Sequence, residues 1–234
     1  MKLLALDSST EACSVALSID GVIHDRFTQS PRQHTQQLLP MVDGLLSEAG
    51  ISVGGLDAIA FARGPGSFTG LRICLGAVQG LAFGADLPVV PISTLAVLAQ
   101  TAAGVATADS TVVAAIDARM DEIYWAAYCI VASCTDHGLV EAVTEEYLCA
   151  PEQLSSSMLP DGLVSYAGVG SGWRYGNRIP LNAVLAYRDD QALPMARALA
   201  ILAGDAFGRG MAVSASAALP VYLRDEVAWQ KVVP

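Results

Sequence analysis

Two stretches of this chain open in the same way. Residues 3–6 form a short apolar run ending in Asp7 and the turn-rich Ser8-Ser9-Thr10, and residues 111–116 form another ending in Asp117 and Ala-Arg-Met-Asp-Glu. An alternating strand follows each, starting near Ser14 in the first half and near Tyr124 in the second, so the offset between the halves is constant. A repeated strand–turn–strand opening confines the chain to an internally duplicated α/β fold.

The order of elements extends that reading. Asp20-Gly21 is a hairpin signal that returns 22–28 as a third strand. A helix over 34–49 follows, with Gly50 as its C-terminal cap and Pro40 as a point of bending. Leu38, Val42, Leu45 and Ala49 line one face, widened by Leu39, Met41 and Leu46. Strands over 56–62 and 87–92 flank a second helix, and Ser93-Thr94 caps a third that runs to about 103. The second half predicts strands over 123–130, 140–148 and 163–167, a helix start at 151–158 and a long helix over 192–208. A strand-like end over 217–224 completes it. Each half reads as a mixed sheet with helices packed on it. The stretch 101–109 is the best boundary, giving lobes of 1–108 and 109–234.

The segment Arg63-Gly-Pro-Gly-Ser-Phe-Thr-Gly-Leu-Arg72 and the helix after it, 70–84, carry the most unusual pattern. On a helical wheel Leu71, Cys74, Leu75, Val78 and Ala82 share one face, and Ile73, Gly76, Ala77, Gly80, Phe83 and Gly84 share the other. Only Arg72 and Gln79, together on one flank, are polar. Glycine costs about 1 kcal/mol against alanine inside a helix, which makes sense if another backbone approaches closely along the stripe. A helix apolar nearly all round is covered on both sides. The cover is either the protein's own second layer or a partner subunit, and spacing alone does not choose.

Composition narrows the function. The chain is 53% hydrophobic and 15% charged, against a usual charge share of about 25%. Such a surface hides apolar area in an assembly. Thirteen Lys and Arg stand against twenty-three acids for a net charge of −10, which leaves no basic stripe for direct nucleic-acid binding. No apolar run reaches about 18 residues free of polar and turn residues, so no membrane helix is expected. The amino terminus reaches an acid too early for a signal peptide. Five cysteines without a Cys-x-x-Cys pair point to reduced thiols and a cytoplasmic protein.

Candidate chemistry is sparse. Asp7 and Asp117 sit at equivalent strand ends, where two lobes face each other across a cleft for a phosphate or nucleotide; alternatively each caps its own turn. Ser9 joins Asp7 as a nucleotide-binding candidate, and the glycine cluster of Gly168, Gly170 and Gly172 would admit a base or ribose close to the backbone. Glycines at 64, 66 and 70 fit neither a P-loop nor the dinucleotide spacing. The three histidines (24, 34 and 137) form no metal-binding pair, and His34 reads as a surface or capping residue. No nucleophile–base arrangement for a peptidase is visible.

Five motifs together resemble the TsaB (YeaZ-type) family: Leu-Ala-Leu-Asp7-Ser-Ser-Thr10, His34-Thr-Gln-Gln-Leu-Leu-Pro40, Arg63 to Arg72, Asp117-Ala-Arg-Met-Asp-Glu-Ile-Tyr124 and Pro220-Val-Tyr-Leu-Arg224. The resemblance implies a two-lobed actin/Hsp70/sugar-kinase-like (ASKHA, ribonuclease H-like) fold with mixed sheets. It also implies a role as accessory subunit in making threonylcarbamoyladenosine in tRNA, with the catalytic paralogue TsaD and the ATPase TsaE as partners and a homodimer when alone. In the family the helices here at 34–49 and 70–84 build the partner contact. That favours Leu38, Met41, Leu45, Ile73, Gly76, Ala77, Gly80, Phe83 and Gly84 as partner-binding residues. The paralogue's metal-binding histidine pair falls where this chain reads Pro91-Ile-Ser-Thr-Leu-Ala-Val-Leu-Ala-Gln100. A non-catalytic chain without a metal site or resident cofactor is therefore implied, with ATP or ADP at a subunit interface left open. The alternative is an ATP-binding small-molecule kinase or ATPase of the same fold.

Overall fold

A computed structural model describes residues 1–29, 33–104, 111–131 and 138–224. The lead-in at 30–32, most of the 101–109 boundary, Cys134 and His137 lie outside the described residues.

The first sheet begins as the expected meander of β1 (Lys2–Asp7), β2 (Ala12–Ile19) and β3 (Val22–Gln29). Asp20 and Gly21 both hold positive φ, as a two-residue hairpin turn requires. β4 (Ala58–Ala62) and β5 (Val89–Ile92) join in parallel, giving the order β3-β2-β1-β4-β5. On one face lie α1 (His34–Ala49) and α2 (Phe68–Ala85), over a core of Leu4, Leu6, Val15, Ile59, Phe61 and Val78. α1 ends on Gly50 in the left-handed conformation, as expected.

The second sheet contains β6 (Thr111–Arg119), β7 (Glu122–Val131), β8 (Leu139–Ala142), β9 (Tyr147–Cys149), β10 (Ser165–Val169) and β11 (Val184–Asp189). Its order is β11-β10-β6-β7-β8, with β9 also on β7. The run β7-β6-β10-β11 repeats β2-β1-β4-β5 in both order and direction: antiparallel, parallel, parallel. The duplicated α/β fold with mixed sheets is thus present in the backbone. Two further helices, α3 (Thr94–Ala102) and α4 (Ala196–Gly208), pack on each other. α3 lies mainly on the second sheet and α4 on the first. One core joins them, from Leu3, Ala5 and Ala16 through Leu98 and Leu199 to Val112 and Ala114.

Several expectations need correction. The third strand of the second half is broken into β8 and β9, because Ala127 gives its N–H to the Thr144 hydroxyl and takes the Val143 N–H on its carbonyl. The chain bulges between the two strands. The helix start at 151–158 is two short 3-10 turns, Pro151–Gln153 and Ser156–Met158. α4 begins later than the pattern suggests, since Pro194 biases Leu193 away from helical geometry and Met195 is extended. The expected strand over 217–224 is instead the end of a 3-10 turn, Ala215–Ala217, followed by an irregular segment. Pro220 there has no donor for a ladder. β11 was not anticipated.

Candidate functional site

The loop after β4 brings the backbone against the β1–β2 turn. Ser67 N–H donates to Ser9 O at 2.7 Å, and the Ser8 hydroxyl donates to Gly70 O at 2.9 Å. A Cβ at Gly70 would stand 2.0 Å from Ser8 O, so this glycine is set by close packing inside the molecule. Ser67 caps α2 by accepting from Gly70 N–H at 3.3 Å, and Asp86 closes the helix in the left-handed conformation.

From there the wheel becomes two real faces. Leu71, Cys74, Val78 and Ala82 are buried on the sheet. Gly76, Gly80, Phe83 and Gly84 are exposed, with Ile73 and Ala77 half-buried beside them. Nothing lies within 4 Å of the position a Cβ would take at Gly76, Gly80 or Gly84, and the Phe83 ring is 83% exposed. The stripe is bare in the single chain. α2 is also long and apolar enough to cross a membrane by length and composition. Its polar flank is engaged within the fold: Arg72 Nε reaches the Tyr222 hydroxyl at 3.3 Å and Gln79 Nε2 reaches Ala218 O at 3.0 Å.

α1 divides the remaining partner-binding candidates. Leu38 and Leu45 are only 1% and 3% exposed and belong to the core under the helix, so they are corrected from surface to interior. A single wide apolar stripe hides which of its residues point inward. Met41 is half-buried at the edge of that core, and Leu39 is exposed.

Each nucleotide candidate has local contacts of its own. Asp7 is buried, takes the Ser9 N–H on Oδ1 at 2.7 Å and leaves Oδ2 without a hydrogen-bond partner. Burial pushes its carboxyl up to about 6, against the lowering effect of the Ser9 N–H. The buried Ser9 hydroxyl is also unpartnered. Asp117 accepts the Arg119 N–H on Oδ1 at 2.8 Å, so each aspartate caps its own turn. The glycine cluster is filled by its own neighbour. A Cβ at Gly168 would sit 2.5 Å from the Trp173 ring, and one at Gly170 would sit 2.4 Å from Ala115 O. Trp173 is buried and donates to Val113 O at 2.8 Å, so the room proposed for a base is occupied by indole. His34 is buried with an unpartnered Nδ1, which corrects its surface reading.

Sequence reasoning placed a cleft at Asp7 and Asp117 and missed the cavity beside Arg63. A cavity of about 840 Å³ is lined by Arg63, Ser93, Tyr128, Glu146, Tyr147 and Val221, among others. Arg63 pairs across it with Glu146 at 3.0 Å. Burial raises the Tyr128 hydroxyl well above the usual tyrosine range. The only early signal was Arg63 heading a singled-out loop; Glu146 lies in a stretch that read as strand. Asp7 and Asp117 do not line this cavity.

The most distinctive exposed feature is therefore the bare apolar stripe of α2. Residues 23–231 match the family described as TsaD, tRNA N6-adenosine threonylcarbamoyltransferase. The chain is 42% identical over 234 residues to the tRNA threonylcarbamoyladenosine biosynthesis protein TsaB of Escherichia coli, covering 99% of this chain and 98% of that one. It is 41% identical to the TsaB of Haemophilus influenzae, covering 99% and 97%. Among solved structures it is similar to YeaZ from Pseudomonas aeruginosa, with a TM-score of 0.85 and 46% identity, covering 95% of this chain and 99% of that one.

Proposed function

The chain belongs to the TsaB (YeaZ-type) family, and we propose that it serves the synthesis of threonylcarbamoyladenosine in tRNA as a non-catalytic subunit. It binds the catalytic paralogue TsaD through the outer face of α2 and makes that enzyme competent to transfer threonylcarbamoyl to the adenosine beside the anticodon. One observation carries the reading: a helix whose outer glycines, Gly76, Gly80 and Gly84, have no neighbour, next to an exposed Phe83. Bare glycines let a second helix backbone come close, and the apolar area gained offsets their helix cost. Without the paralogue the same face pairs two copies of this chain.

Two further observations support a non-catalytic role. Where the resemblance puts the paralogue's metal-binding histidines, this chain has α3, with Leu95, Val97, Leu98 and Ala99 buried in the core. The glycine cluster that would admit a nucleotide is packed on Trp173 and Ala115. In this reading the chain holds no cofactor of its own.

The test is Gly80→Arg. The substitution places a long charged side chain where the free molecule has open space, so the monomer keeps its fold and its far-ultraviolet circular dichroism. Co-purification with TsaD is lost. Unchanged co-purification by a folded Gly80→Arg protein sinks the proposal.

A further inference from the structure

Two polar side chains of α2, Arg72 and Gln79, are engaged by one segment. Gln79 donates to Ala218 O, and Arg72 donates to the Tyr222 hydroxyl. The Arg72 guanidinium also lies 3.9 Å above the Phe68 ring, whose centroid is 5.4 Å from that of Tyr222. Between these anchors Val221 N–H donates to Arg63 O at 2.8 Å. Gly64 makes room for that crossing, since a Cβ there would stand 2.6 Å from Val221 O.

The segment then leaves the first half. Arg224 pairs with Glu122 at 2.6 Å and donates to Ala118 O at 3.2 Å, on the β6–β7 hairpin. Val221 and Leu223 line the cavity that holds the Arg63–Glu146 pair. Residues 218–224 form no helix or strand, so their position is set by what they touch at each end. The far anchor is itself under constraint. Arg119, Met120 and Asp121 all hold positive φ without being glycine. Such residues persist where the surroundings over-determine them. Here Arg178 grips both Asp121 oxygens, at 2.6 and 2.7 Å, and Arg224 holds Ala118 O.

We propose that residues 218–224 are a strap coupling the exposed helix α2 to the β6–β7 hairpin of the second sheet, so that occupancy of the α2 stripe and the seating of that hairpin are linked. The link to occupancy rests on the partner reading of α2 given above; the tie between the two ends does not. Leu219 and Tyr222 are 64% and 39% exposed, so the strap presents apolar surface beside Phe68. A paralogue laid along α2 covers part of the strap as well.

The experiment uses the full chain and cuts the strap at either end while leaving every stripe residue in place. Gln79→Ala releases the helix end and Arg224→Ala the hairpin end. Amide hydrogen exchange is measured in the free protein. Each cut is expected to speed exchange about tenfold at the opposite end: at 117–123 for Gln79→Ala and in α2 for Arg224→Ala. Titration with the paralogue is expected to show about tenfold weaker binding by Arg224→Ala. In the wild type, saturation with the paralogue slows exchange at 117–123. Exchange that rises only beside each cut, or an unaltered affinity, overturns the strap. If Arg224→Ala does not fold, Glu122→Gln removes the ion pair while keeping the bond to Ala118 O, and the same readouts apply. A Gly80→Arg protein that still binds the paralogue defeats the partner reading alone, and the exchange experiment then decides the strap by itself.

Discussion

Asp7 and Asp117 accept the same hydrogen bond. Each takes on Oδ1 the backbone N–H two residues ahead, from Ser9 at 2.7 Å and from Arg119 at 2.8 Å. The duplication thus extends from strand order to a single turn contact. The environments differ: Asp7 is 2% exposed with Oδ2 unpartnered, whereas Asp117 N–H donates to the Ser171 hydroxyl and its carboxylate faces Arg119 at 3.6 Å.

The difference gives Asp7 a pH signature. Its folded carboxyl titrates near 6, above the ordinary 3.8, because burial disfavours the charge. The folded state then holds the proton more tightly than the unfolded chain. The resulting stability is fully present below about pH 4 and is lost as pH rises through about 6, an effect of about 3 kcal/mol. Asp7→Asn keeps an acceptor for Ser9 and cannot ionise. Urea unfolding between pH 4 and 7 is expected to show that decline in the wild type and a flatter curve in the variant. Parallel curves would refute this role for Asp7.

The two faces of the helical layer separate stability from binding. Leu38→Ala or Leu45→Ala empties core volume and is expected to cost about 2–5 kcal/mol in urea unfolding. Phe83→Ala removes a ring that is 83% exposed, so stability stays within about 0.5 kcal/mol. On the proposed reading, affinity for TsaD is expected to fall, read by calorimetric titration. A Phe83→Ala protein that is destabilised like Leu38→Ala contradicts the assignment of faces.

Adding one methyl group at two different glycines has opposite consequences. Gly80→Ala fills empty space in the middle of α2, so the free chain gains about 1 kcal/mol from helix propensity. The same methyl group holds a partner backbone away, and binding to TsaD weakens. Gly168→Ala drives a methyl group into the Trp173 ring at 2.5 Å and costs about 1–3 kcal/mol or more. Melting curves of the two variants should move in opposite directions from the wild type. Movement the same way counts against the reading of one glycine as exposed and the other as packed.

What was legible in advance followed from periodicity. The alternating strands and the constant offset from Asp7 to Asp117 yielded the duplicated sheets, and the wheel on α2 separated Leu71, Cys74 and Val78 from Gly76 and Gly80. Illegible features depended on residues distant in sequence or on weak patterns. β11 gives no signal in the sequence, because Val184, Leu185 and Ala186 show no alternation of apolar and polar residues. Leu38 and Met41 share one apolar stripe, and only the position of the sheet decides which is interior. Gly168 looked like space for a ligand because nothing local announces that Trp173 folds back over it. The Arg63–Glu146 and Arg224–Glu122 pairs join residues far apart in the chain, which no window can detect.

α4 comes late in the chain yet lies on the earliest sheet, with Ala196 N–H donating to the Ser14 hydroxyl at 2.9 Å. On a ribosome, β1 to β5 therefore emerge long before the helix that seals their second face. Leu3, Ala5 and Ala16 stay wettable until residues 196–208 have been synthesised. Nascent chains halted before residue 196 should accordingly be the ones that chaperones hold and proteases clip.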